Sequence, residues 1–252
     1  MWFRDHWEEL KIIAETISVK GGEDYPLRVR ISRHGPIIND VLESVEKTET
    51  QPVALAWEML SNFENSTEQV FYELGHSASL ADSRSAVSKL HAPGLNINYG
   101  DAEGNIAWWG AARLVIRPAH VNSFVILDGA SGKDEVLGYR NFSENPQSEN
   151  PKSGILYNGN NQPGDTGSGL EAGYYAAEER AHRIGELLNP AKKSWTADEM
   201  QSIQLDTKNP RINNFRKHFL SVMSENSGRS EVFSNAAEVF KNWDGIHNIK
   251  AE

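Results

Sequence analysis

The 252-residue chain contains no cysteine. This removes a disulfide framework, a thiolate nucleophile and any cysteine-based metal site, without fixing a redox compartment. Basic residues are few beside acidic ones, 25 against 35, for a formal net charge of -10. With no large positive field to meet a phosphate backbone, nucleic acid is not an expected partner. No apolar run is long enough to cross a bilayer. No amino-terminal apolar stretch resembles a signal peptide, and a leader removed from a precursor leaves export open. Apolar residues make up only 38% of the chain, low for a compact domain, yet seven Trp, seven Tyr and nine Phe argue against global disorder. The eight histidines show neither an HExxH pair nor tight ligand spacing.

What is present reads as a mixed α+β pattern. Thr16 to Lys20, then Gly21-Gly22, then Leu27 to Ile31 predicts a hairpin, with Ile17 and Val19 on one face and Leu27, Val29 and Ile31 facing inward on the second strand. His34-Gly35-Pro36 makes a sharp stop, and Val53 to Trp57 is a further strand candidate. A helix is expected from Ser66 to His76 with Val70, Phe71 and Leu74 on its apolar face. Asp82 is the expected cap of a second helix from Ser83 to Leu90, with Ala86, Val87 and Leu90 inward. Strands are expected at Leu95 to Tyr99 and Ile106 to Trp109, joined by an Asp/Gly/Asn-rich turn. Asp128 to Gln162 reads as long excursions rich in Gly, Pro, Asn and Ser. Helical periodicity resumes from Tyr175 to Leu188, with Ala181, Ile184, Leu187 and Leu188 apolar and Asn189-Pro190 ending it. Thr196 and Glu199 have capping-box spacing, and a later helix is expected to use Phe215, Phe219 and Val222. The chain is thus strand-rich over 12–163 and helix-rich over 164–252, without an internal repeat.

Five segments carry a resemblance: Ile31-Ser32-Arg33-His34-Gly35-Pro36-Ile37-Ile38, Asn98 to Ile106, Asn150-Pro151-Lys152-Ser153-Gly154, Asn158-Gly159-Asn160-Asn161-Gln162-Pro163, and Arg180-Ala181-His182-Arg183-Ile184-Gly185-Glu186-Leu187-Leu188. No single one decides the matter, but their order and separation resemble the beta subunit of the penicillin acylase (penicillin amidase) family of N-terminal nucleophile hydrolases. The resemblance implies part of a four-layer αββα fold, in which antiparallel sheets are flanked by helices. It also implies hydrolysis of an amide bond: a terminal hydroxyl or thiol attacks the carbonyl, its own α-amino group acts as base, and water releases the acyl-enzyme.

Two residues carry over as candidate catalytic groups. Asn160 resembles the family asparagine whose side-chain amide donates to the developing oxyanion, a role suited to a neutral, directed NH2. Arg180 resembles the arginine near the start of the following helix that orients this asparagine and the nucleophile's amine through its planar fork. Without the resemblance, Asn160 is a turn residue and Arg180 a surface arginine on an amphipathic helix. Arg183, one turn on, does not inherit the role by proximity. His34 has a structural reading, because the terminal-amine mechanism needs no histidine base. Trp108 and Trp109 read as strand packing, or as a stacking surface for an aromatic acyl group.

The family's nucleophile is a Ser, Thr or Cys at a free chain terminus, whereas this sequence opens Met1-Trp2. The resemblance also runs out at Phe240-Lys241-Asn242-Trp243-Asp244-Gly245, before the family's usual end. The expectation is an internal fragment of the beta subunit over 1–252, supplying oxyanion-hole and positioning residues but inactive alone. Its expected partners are a small N-acylated substrate and either the remaining chain portions or a second copy, through exposed sheet edges. Family members are periplasmic or secreted and often hold calcium; Asp165 and Glu171 lie where a ligand could arise, but no local motif places the ion and none is expected here. A noncatalytic descendant of the fold that binds amides, peptides or sugars through Trp108, Trp109 and polar loops is the alternative. Glycan hydrolysis by paired carboxylates draws no support, since 35 acidic residues make many accidental pairs.

Overall fold

β-Branched and apolar residues over Lys11–Ile17 (β3), and apolar residues alternating with arginines within Tyr25–Ser32 (β4), produce an antiparallel hairpin, preceded by a two-residue pair, Trp2–Phe3 (β1) and His6–Trp7 (β2). The computed structural model describes residues 1–48, 51–61, 67–163, 175–188, 191–192, 194–225 and 230–246. The chain falls into two compact units, Met1–Gln147 and Ser148–Glu252.

In the first unit the hairpin is longer than its sequence pattern and shifted towards the amino terminus. Its register runs from Lys11 opposite Ile31 to Ile17 opposite Tyr25, so Val19 falls in the turn. Ile17 and Val19 are about half exposed, while Leu27, Val29 and Ile31 are half-buried. Gly35–Pro36 (β5) then pairs back on β4. Gly35 sits at φ +127°, and a Cβ there would fall 2.2 Å from the Leu55 carbonyl oxygen, so only glycine admits this approach. The expected strand from Val53 to Trp57 does not form. Its contact is reduced to a bridge between Ile37 and Ala54, because Pro36 has no N–H to extend a ladder and the chain turns into the short helix Glu58–Ser61 (α2).

The core of this unit is built on Leu95–Gly100 (β6) and Ile106–Ala111 (β7), an antiparallel pair whose alternation matches its sequence. The register sets Leu95, Ile97 and Tyr99 opposite Ala111, Trp109 and Ala107. Trp109 is fully enclosed, against Val70, Val87 and Leu90 from the helices Thr67–Gly75 (α3) and Leu80–Val87 (α4) and the residues after α4. Val70, Ala86, Val87 and Leu90 are buried as expected, whereas Phe71 is half exposed. The α4 cap is Ser79, not Asp82: Ser79 is extended, and its Oγ accepts from the Asp82 N–H at 3.1 Å and donates to Asp82 Oδ2 at 2.8 Å. Asp101 closes the β6–β7 turn, accepting from the Asn105 N–H and Nδ2 at 2.8 Å each. Glu43–Thr48 (α1), Val115–Ile116 (β8) and Gly138–Tyr139 (β9) are peripheral, with β8 and β9 antiparallel. His34 is structural: its Nε2 lies 2.6 Å from Glu135 and its ring meets the edge of Phe3.

Gln147–Glu149 (β10) runs across the division, and apart from a bridge between Lys208 and Ile246 the described residues of the second unit form loops and the helices Glu179–Leu187 (α5), Ala197–Gln204 (α6), Ile212–Glu225 (α7) and Glu231–Asn242 (α8). The α6 capping box forms as expected, with the Thr196 oxygen accepting from the Glu199 N–H. Lys192 and the Thr196 N–H draw the Glu199 carboxyl down to about 2. The expected apolar face of α7 is only half covered: Phe215, Phe219 and Val222 each keep about half their surface exposed, because α8 reaches α7 along one edge where Phe219 meets Phe240.

Candidate functional site

The segment from Tyr157 to Pro163 has no regular secondary structure, and two of its backbone N–H groups are accepted by its own asparagines. The Asn158 side-chain oxygen accepts the Asn160 N–H at 2.7 Å, and the Asn161 side-chain oxygen accepts the Gly159 N–H at 3.2 Å. These bonds hold a tight turn with Asn160 at φ +58°, a left-handed conformation that asparagine tolerates better than most residues.

Helix α5 completes the arrangement. Gly159 lies against it so closely that a Cβ would stand 2.7 Å from the Ala181 nitrogen. Arg180, in the first turn, sends Nη2 to the Gly159 carbonyl at 2.6 Å and to Asn160 Oδ1 at 2.7 Å. The Asn160 carbonyl in turn accepts the Ala176 N–H at 2.7 Å. Helix α5 begins at Glu179, later than the expected start at Tyr175. Ala181 and Leu188 are buried on α5 as expected; Asn189 and Pro190 lie outside the described residues.

The chemistry of the Arg180 contact fixes which way Asn160 points. A guanidinium carries only donors, so the Asn160 atom facing it is the oxygen and the NH2 is directed away. Among the described residues nothing accepts from that NH2. The arrangement is an exposed amide donor whose oxygen, backbone N–H and backbone carbonyl are all held.

Arg183 is committed elsewhere. Its Nε and Nη2 donate to the two Asp206 oxygens at 2.8 Å each, and Nη1 to Glu186 at 2.8 Å, clamping α5 to the residues after α6. The Arg183 guanidinium holds the Asp206 carboxyl below the usual carboxylate range, against a smaller opposing effect of burial. The pair therefore stabilises fully above the unfolded carboxylate pKa and is lost as pH falls through the lowered folded value. Asp206→Asn is expected to cost about 1.5–3 kcal/mol at neutral pH. The difference from the parent should shrink on acidification, as read by denaturant melts across pH.

Asp165 and Glu171 lie outside the described residues, and among the described residues no three His, Asp or Glu side chains are grouped to hold a metal. No helix there is long and apolar enough to cross a membrane.

The penicillin amidase family model matches residues 1–251. The chain belongs to the penicillin amidase family. Among its relatives, an acyl-homoserine lactone acylase, QuiP, of Pseudomonas aeruginosa is 27% identical over 209 residues, covering 79% of this chain and 24% of that protein. Penicillin G acylase of Escherichia coli is 25% identical over 247 residues, covering 96% of this chain and 28% of that protein. The chain thus spans about a quarter of the length of these curated relatives. A solved structure, a thermostable penicillin G acylase from Alcaligenes faecalis, aligns with a TM-score of 0.68 at 20% identity, covering 99% of this chain and 44% of that one. The fold is accordingly α+β, antiparallel sheets with flanking helices, a part of the N-terminal nucleophile hydrolase fold.

The sequence picked out Asn160 and Arg180, and the structure brings them into direct contact. It did not pick out Asn158, Asn161 or Ala176, although the Asn-x-Asn spacing is itself a signal for a side chain bonded to the N–H two residues on.

Proposed function

We propose that this chain supplies the oxyanion-binding and positioning part of an acylase that hydrolyses the C–N bond of a small N-acylated compound. The observation that carries this reading is the Asn160 amide, held through its oxygen on Arg180 at 2.7 Å, with no acceptor for its NH2 among the described residues. As the nucleophile attacks, the acyl carbonyl oxygen gains negative charge, and a preorganised neutral donor aimed there stabilises the transition state more than the substrate. Arg180 contributes by fixing the asparagine's rotamer and the Gly159 carbonyl, so that no reorganisation is needed as charge develops.

Penicillins and acyl-homoserine lactones, named in the relatives' descriptions, both present a secondary amide beside a polar ring. That amide is the substrate class proposed here, with the nucleophile and acyl-binding wall furnished by the rest of the acylase. A periplasmic or secreted setting accompanies this reading through the family. The test is hydrolysis of phenylacetyl, phenoxyacetyl and fatty-acyl amides by the full-length protein and its Asn160→Ala variant. A kcat lower by about 10²–10³ with KM little changed is expected. Unchanged kcat would overturn the role of Asn160, and a wild-type protein that binds amides without turnover would favour the noncatalytic alternative.

A further inference from the structure

We infer that Asn158 is a positioning residue for this reaction, acting through Asn160; the inference rests on the oxyanion reading above. Asn160 is held at three atoms, each by a different partner. Arg180 holds its side-chain oxygen, Ala176 holds its carbonyl, and Asn158 holds its N–H at 2.7 Å, the same length as the other two bonds. Of these, the Asn158 bond bears most directly on the backbone of Asn160. It fixes the peptide plane leading into a residue at φ +58°, where a side chain is normally disfavoured, and together with the Ala176 bond to the carbonyl it sets the direction in which the Cα–Cβ bond leaves the chain.

Arg180 restrains Oδ1 only as far as a flexible guanidinium stem allows. Rotation about φ would carry Oδ1 and Nδ2 together, and Arg180 could follow the oxygen while the donor swung away from the oxyanion. The Asn158 contact fixes the peptide plane before Asn160 and the Ala176 contact the plane after it, so the Cα between them cannot turn without breaking one of the two bonds. Asn161 does the equivalent for Gly159, through the longer 3.2 Å bond to its N–H, one residue further from the donor. Asn158 touches neither the acyl group nor the reacting atoms in this account; it keeps the amide aimed.

Replacement of Asn158 by alanine deletes the acceptor, whereas serine retains a hydroxyl oxygen that can accept the N–H two residues on in an analogous turn. The experiment is a set of full-length acylases, wild type, Asn158→Ala, Asn158→Ser, Asn160→Ala and the Asn158→Ala/Asn160→Ala double variant. They are assayed for kcat and KM per titrated active site, with thermal melts alongside. Asn158→Ala is expected to lower kcat about 10- to 100-fold, the scale of a misplacement approaching 1 Å, with KM within about twofold. Asn158→Ser should recover most of that loss, and Asn158→Ala should add nothing once Asn160 is alanine, because its effect passes through the missing amide.

An Asn158→Ala enzyme with wild-type kcat overturns the inference. So does a loss that multiplies in full on top of Asn160→Ala, or one that lowers only the melting temperature and the fraction of titratable sites. Failure of the underlying reading is separate and visible: there Asn160→Ala itself leaves kcat unchanged.

Discussion

Replacing Trp109 by alanine is expected to destabilise the chain by about 3–5 kcal/mol, seen as a large drop in the denaturant midpoint of the first unit. The indole is 0% exposed and is the largest side chain enclosed in the core. Ala107 and Ala111 flank it on the same strand face, and both are too small to swell into the space it would leave. Its neighbour is the internal control. Trp108 points to the other face of β7, is only half-buried, and its Nε1 donates to Asn96 at 2.9 Å. Trp108→Ala therefore loses one exposed hydrogen bond and part of a ring's packing, and should cost about 1–2 kcal/mol. Equal losses at the two tryptophans would contradict the assignment of β7's faces.

This pair also shows where the sequence is legible. In β6 and β7 a strict two-residue alternation, a turn written by Asp101, Gly104 and Asn105, and helices on one face all point to the same arrangement. Val53 to Trp57 is equally apolar, but its fate depends on Gly35 and Pro36 some twenty residues away, which leave room and donors for a single bridge. At α4 the difference is one of role. Asp82 does belong to the cap, but as the third helical residue answering Ser79, a reciprocal pair that local composition cannot distinguish from a cap at Asp82 itself. The apolar residues of α7 were identified correctly as a face, yet periodicity says which residues share a side and not how much of that side a neighbour covers.

The candidate site divides in the same way. Asn160 and Arg180 were reached through resemblance of short segments, and their contact is a tertiary fact that spacing along the chain does not contain. The residues that restrain Asn160 were missed because two of the restraints use main-chain atoms: the Ala176 N–H and the Gly159 carbonyl do the same work whatever side chain stands there. Of these two, Gly159 alone leaves a trace in the sequence, through the close approach that demands the absence of a Cβ.

Gly159→Ala should accordingly damage both stability and turnover. The added Cβ would lie 2.7 Å from the Ala181 nitrogen, 3.0 Å from its Cα and 3.1 Å from its Cβ. Two of these three atoms are helix backbone, so no side-chain rotation relieves the clash, and Ala181→Gly would remove only the third. The turn and α5 must move apart, stretching the 2.6 and 2.7 Å bonds from Arg180 that join them. Strain of about 1–3 kcal/mol is expected in a thermal melt. On the acylase reading proposed above, kcat of the full-length protein should fall about 100-fold, through displacement of the Asn160 amide. Gly154→Ala is the matched comparison: at φ +68° it is strained by its backbone conformation, but nothing lies within 4 Å of its Cβ. It should lower stability by about 1 kcal/mol and leave kcat untouched. If both alanines lowered stability alike and neither changed kcat, the seating of the asparagine turn on α5 would have no part in the reaction, because the two substitutions differ chiefly in whether they push against the helix that carries Arg180.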